Sequence, residues 1–122
     1  MAVLTGVKGR VVRRRQLEST FEGKLNRRLE RMFPGCVILK LDAGNQQGIP
    51  DRLILWNEHW AILEVKRGPD EAAKPEPNQT WWVNRLDEMS FSAFIYPENM
   101  EEVLHDLQRA LAPTRQTRVA KR

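Results

Sequence analysis

The stretch GIPDRLILWNEHWAILEVK, residues 48–66, holds two apolar runs, Asp51–Trp56 and Trp60–Lys66, on either side of Asn57-Glu58-His59. Short apolar runs around a polar break of this kind predict a hairpin, and the lack of polar alternation within them predicts two strands buried on both faces. Asp51 opens the first strand and Glu64 and Lys66 close the second, so folding the hairpin brings the three to one end of the sheet. Glu64 and Lys66 are two apart and share a face. Asp51 joins that face only if paired residue numbers sum to an odd value. Trp56 opposite Ala61 satisfies the condition, whereas Trp56 opposite Trp60 pairs Asp51 with Val65 and turns its carboxylate away, barring a bulge.

Outward from the hairpin, Leu17, Phe21, Leu25, Leu29 and Met32 or Phe33 recur at helical spacing and predict an amphipathic helix over 18–33, stopped by Pro34-Gly35. Cys36–Asp42 (CVILKLD) reads as a strand, followed by the polar loop Ala43–Gly48. Beyond the hairpin, Gly68–Asn78 is polar and Pro-rich, and a helix follows from about Pro77 to Met89. Phe91–Tyr96 is a fourth strand, broken by Pro97. Met100, Val103, Leu104, Leu107 and Leu111 form the stripe of a last helix that ends before Pro113. The order is αβββαβα. A helix between the last two strands makes them parallel by a right-handed crossover, so the expected class is α/β with a mixed four-stranded sheet flanked by helices.

The chain has 122 residues and 41% hydrophobic content, enough for one compact core. Its net charge of +4 is unevenly spread. Residues 1–15 carry five basic side chains and no acid, and residues 114–122 carry four; the middle holds eleven basic residues against sixteen acids, a net of −5. The expected organisation is a basic, disordered tail over 1–15, one domain over 16–113, and a second basic tail over 114–122. Such tails either solubilise the chain or hold a polyanion through counterion release, which carries no sequence information. No apolar run spans a bilayer and the N-terminus has no signal-peptide core, so the expected setting is a soluble protein of the cytoplasm, bacterial or of a phage-infected host. The one cysteine, Cys36, has no second cysteine to pair with and reads as a buried, inert thiol.

Two carboxylates converging at a strand end make a hard, oxygen-rich site suited to Mg²⁺ or Mn²⁺, with the Val65 backbone carbonyl as a further ligand. A metal there can act on a phosphodiester, and Lys66 beside it is suited to stabilising charge on the scissile phosphate rather than to serving as general base. The plainer alternative is a surface hairpin decorated by a Glu64 and Lys66 ion pair. Against it, the flanking positions are almost all apolar, and burying two acids and a lysine among them costs several kcal/mol unless a metal or partners compensate.

GIPD followed at a distance by EVK resembles the PD-(D/E)XK nuclease superfamily, and more closely its VRR-NUC branch. The likeness covers roughly Glu18 to Leu111. It implies a restriction-endonuclease-like core, with Asp51 and Glu64 as metal-binding acids, Lys66 as the catalytic lysine, Glu22 as the acid from the first helix, and Gln79 as the glutamine that follows the lysine motif. Glu22 lies three and seven residues before Leu25 and Leu29, so it can point toward the sheet. Ser19-Thr20-Phe21-Glu22 equally fits a capping box in which Glu22 closes the helix start, and Glu18 is an alternative acid. Gln79 has a bland role too, satisfying backbone at a helix start. Where related nucleases place an aromatic hydroxyl one turn later, this chain has Val83.

Small stand-alone members of the branch act as homodimers on branched DNA, so the resemblance implies a metal-dependent endodeoxyribonuclease that resolves four-way (Holliday) junctions in recombination. A general or nicking endonuclease of phage DNA processing, or a DNA-binding protein on the same scaffold that does not cut, are the alternatives. Lys40, Arg52 and Arg67 near the site, and Arg13, Arg14 and Arg15 in the tail, are the candidate phosphate contacts. His59 in the expected turn and His105 on a helix flank lack zinc spacing, and there is no phosphate-binding loop of nucleotide hydrolases. Trp81 and Trp82 offer rings for base stacking, but neighbours on a helix diverge by about 100°, so at least one reads as core.

Overall fold

A computed structural model of the chain describes residues 8–112 apart from 43 and 45, with side chains from residue 20 onward. Two compact units divide at Pro34. The first is a single helix, α1 (Lys8–Met32), ended by Pro34 and by Gly35 in the left-handed region at φ +88°. Its buried stripe is Leu25, Leu29 and Phe33; Phe33, not Met32, completes the spacing. α1 begins ten residues before the expected start. Lys8–Arg15, read as half of a basic tail, is rich in Arg and Lys, good helix formers with no proline among them, and continues the helix backbone. The capping-box reading of Ser19 to Glu22 falls with it, because those residues lie inside a helix rather than at its start. The expected division at residue 16 lies within α1. Residues 1–7 and the tail at 114–122 fall outside the described residues.

The second unit is an α/β layer structure. Its strands β1 (Val37–Lys40), β2 (Arg52–Trp56), β3 (His59–Val65) and β4 (Ser92–Ile95) form one mixed sheet in the order β1-β2-β3-β4, antiparallel except for β3 with β4. A short helix, α2 (Pro69–Ala73), occupies part of the loop expected over Gly68–Asn78, with Pro69 at its first turn, where no backbone N–H is needed. α3 (Gln79–Met89) forms the crossover between the parallel strands, and α4 (Met100–Leu111) closes the unit, so the sheet is flanked by helices.

The hairpin turn is tighter than expected. Trp56 pairs with His59, so only Asn57 and Glu58 form the loop, and His59 opens β3 rather than lying in the turn. Asn57 takes φ 56°, the positive value that two-residue hairpin loops require at their first position and that Asn tolerates well. Alternation then sorts the sheet into two faces. Arg52, Ile54, Ala61, Leu63 and Ile95 share one, and all are buried. α4 lies against β3 and β4 with Val103, Leu104, Leu107 and Leu111 buried. The other face carries Asp51, Leu53, Leu55, Ile62, Glu64 and Phe94, and α3 lies on its β3–β4 side. Burial on both faces holds for Ala61–Glu64 of β3 but not for β2, where Leu55 is exposed and Leu53 half-buried, because α3 does not reach that far across the sheet.

Candidate metal centre

The β2–β3 pairs sum to an odd number, and the register that sets Arg52 opposite Leu63 carries Asp51 to the position opposite Glu64. The condition drawn from the sequence is met through a two-residue turn, not through Trp56 opposite Ala61. The Val65 backbone N–H donates to Asp51 Oδ1 at 3.3 Å, which ties the start of β2 to the end of β3. Lys66 follows the last strand residue, held by its N–H to the Ile95 carbonyl at 2.8 Å. Glu64 and Lys66 are 7% and 6% exposed, with the ammonium 3.6 Å from Glu64 Oε2 and 5.9 Å above the centre of the Phe94 ring. A buried pair of this kind is costly unless further partners complete it.

Gln79, the first residue of α3, completes it. Its Nε2 donates to Glu64 Oε2 at 2.9 Å, and its Oε1 accepts from Lys66 Nζ at 2.7 Å and from the Glu76 backbone N–H at 2.9 Å. Two donors converge on one end of the amide and one acceptor faces the other, which fixes its orientation. The helix-start role open in the sequence is not filled as such: α3 has no side-chain cap bond, and the amide ties the backbone of the preceding turn at Glu76 instead. Val83, one turn later, is buried core.

The loop before β2 is locked onto the start of α3. Gly48 adopts φ +91°, and a Cβ there would lie 2.7 Å from the Pro77 carbonyl oxygen and 2.8 Å from Asn78. Only glycine permits both the conformation and the approach. Trp82 adds an indole N–H to the Gln47 carbonyl at 3.2 Å. GIPD therefore sets Asp51 at the strand start and brings the loop against the turn that presents Gln79.

Burial, and then the neighbouring Asp51 carboxylate, push the Glu64 carboxyl up to about 7; the Lys66 ammonium offsets this in part. Glu64 Oε1 is buried with no hydrogen-bond partner. Two repelling carboxylates, one with an oxygen left unsatisfied, fit a divalent cation, which would relieve both conditions. Among the described residues no group of three or more His, Cys, Asp and Glu side chains gathers as a metal site. Mg²⁺, which keeps several waters and needs only one or two carboxylates, is compatible with that donor set.

The other sequence candidates are placed as follows in their own units. Glu22 is half-buried on α1 and belongs to the first unit. Arg52 is 3% exposed and lies on the sheet face opposite to that of Asp51, Glu64 and Lys66, a side dictated by alternation from Asp51. Lys40, its partner across β1 and β2, is exposed. The Arg67 side chain is 94% exposed, 4.0 Å from Glu71. The side chains of Arg13, Arg14 and Arg15 lie outside those described. His105 is exposed beside Asp106, and Cys36 is half-buried rather than buried. Missed by sequence reasoning were the Trp82 to Gln47 tether, between residues 35 apart, and the clash of any Cβ at position 48 with Pro77 and Asn78; both depend on contacts between distant segments. Comparison of the chain with protein-family models, with characterised proteins and with solved structures finds no match.

Proposed function

We propose that this chain is a Mg²⁺- or Mn²⁺-dependent endonuclease that hydrolyses phosphodiester bonds in DNA. The observation that carries the reading is the cluster of buried Glu64, Lys66 and Gln79 beside half-buried Asp51, in which one glutamine bonds both the acid and the lysine while Glu64 Oε1 is left without a partner. Asp51, Glu64 and the Val65 carbonyl are the residues that would hold the cation. Bound there, it supplies a Lewis acid for the phosphodiester and for an attacking water. Lys66, aimed by Gln79, sits where an ammonium can stabilise charge growing on the scissile phosphate. Gln79 bonds both members of the Glu64–Lys66 ion pair and so holds the acid and the ammonium in place beside the cation site.

The resemblance of GIPD and EVK to the VRR-NUC branch supports the same chemistry and a restriction-endonuclease-like core. Its finer implication, a homodimer cutting branched DNA in the cytoplasm, is our reading of the substrate. The described residues form the site and its supporting fold without a separate base-reading module, which suits recognition of DNA shape better than of sequence. The test is incubation with a labelled four-way junction and with the matching linear duplex, in Mg²⁺ and in EDTA. Metal-dependent cutting of the junction in preference to the duplex is expected. No cutting of either overturns the nuclease reading, and equal cutting of both overturns the junction preference.

A further inference from the structure

The adjacent tryptophans at the start of α3 have separate fates. Trp82 is half-buried and pinned by its N–H to Gln47, whereas Trp81 is 58% exposed. Their rings meet at 5.1 Å and 84°, edge to face. Whichever ring supplies the edge, at least one face of Trp81 is left uncovered by the pair. An indole held by a neighbour, itself fixed to the backbone, has already lost much of the freedom that stacking would otherwise cost. One turn on, Arg85 is exposed and, among the described residues, is paired with Glu88 at 3.3 Å. Surface ion pairs of that kind are worth little, so a phosphate can compete for the guanidinium.

Position connects this surface to the metal centre. Trp81 lies two residues past Gln79, whose side chain reaches Glu64 and Lys66. Two residues on a helix turn about 200°, so the indole stands on the outer side of α3 while the glutamine reaches inward, about a helix diameter of 10 Å apart. One strand can span that separation. Trp82 also binds the Gln46–Gly48 loop that leads into Asp51, so the ring pair and the metal centre share a support.

We propose that Trp81, backed by Trp82 and followed by Arg85, is a stacking platform for an unpaired nucleobase, with Arg85 taking a phosphate of the same strand. This rests on the nuclease reading for the ligand's being DNA, and it narrows the substrate class to DNA with single-stranded character beside the bond cut. Stacking on an exposed aromatic is sequence-tolerant, because every base has a π face. A duplex with all its bases paired presents none to the ring.

The test uses the full chain in EDTA with two fluorescein-labelled probes, a twelve-nucleotide oligothymidine and a twelve-base-pair duplex, read by anisotropy. Trp81→Ala should weaken oligothymidine binding by about tenfold, Trp81→Phe should recover most of it, and duplex affinity should not move. Trp81 is exposed, so neither variant removes core. Unchanged oligothymidine affinity in Trp81→Ala overturns the platform, as does an equal loss on both probes. A shift from dimer to monomer by light scattering with oligothymidine affinity unchanged also overturns it, and marks the ring as a protein contact. The same samples are then given Mg²⁺ and a branched substrate. If no DNA is cut while the Trp81 dependence of oligothymidine binding holds, the nuclease reading fails and the platform stands; if DNA is cut and Trp81→Ala is neutral in every assay, the reverse is true.

Discussion

The side-chain amide of Gln79 donates to Glu64 Oε2 at 2.9 Å, across the crossover from the first turn of α3 to the end of β3. The same amide accepts from Lys66, so one residue bonds both members of the Glu64–Lys66 ion pair, whose charged atoms lie 3.6 Å apart. Gln79→Ala leaves both buried groups short of a partner, at about 1–3 kcal/mol for such a loss. We expect denaturant unfolding to show that destabilisation and DNA cleavage to fall by about 10- to 100-fold, as supporting residues around metal sites do. Cleavage at the normal rate would remove Gln79 from the site.

Glu64 makes the metal-free protein sensitive to pH. Its carboxyl is raised from 4.5 to about 7, so between those values the folded chain holds a proton that the unfolded chain has released. Stability from this group therefore rises as pH falls from about 7 toward 4.5, and is lost as pH rises through about 7. The gain is on the order of 2–3 kcal/mol. Urea melts in EDTA at pH 5.5 and 8 should show it, and Glu64→Gln should flatten it. On the proposed metal site, Mg²⁺ should reverse the trend, because a cation held there would favour the ionised form.

Lys66 lowers the Glu64 carboxyl toward its ordinary range, so its removal has a direction as well as a size. In Lys66→Ala the pH at which Mn²⁺ binding is half-lost should move upward relative to the parent, measured by calorimetry across pH 6–9. Cleavage should drop by about 100-fold or more with the loss of a charge aimed at the phosphate. DNA affinity in EDTA should change little, and a variant that cuts normally would refute the assignment.

Gly48→Ala tests the loop. The substitution adds a Cβ 2.7 Å from the Pro77 carbonyl oxygen and strains a backbone at φ +91°. We expect a destabilisation of at least about 1–3 kcal/mol. Metal affinity should weaken too, since the loop positions Asp51. Unaltered Mn²⁺ binding in a stably folded Gly48→Ala protein would show that Asp51 is placed independently of the loop.

Strand and helix content were legible because hydrophobic period is local. Leu25 and Leu29, the runs of β2 and β3, and the Val103–Leu111 stripe each announce their own element, and Glu64 and Lys66 share a face by alternation alone. The sequence also set out the parity condition for Asp51 and the parallel pairing of β3 with β4. Which register met that condition was a matter of Asn57 adopting positive φ in a two-residue turn. That conformation, and the reach of α1 back to Lys8, depend on small energy differences that no motif marks. The burial of Arg52, the exposure of Trp81 beside a tethered Trp82, and the double use of Gln79 were decided only by tertiary structure. Each depends on what a distant segment places opposite a side chain, and no spacing along the chain encodes that. The hairpin GIPDRLILWNEHWAILEVK thus specified its own strands and the parity on which the convergence of Asp51 with Glu64 depends; the fold decided the register and how buried, how charged and how well partnered the acids are.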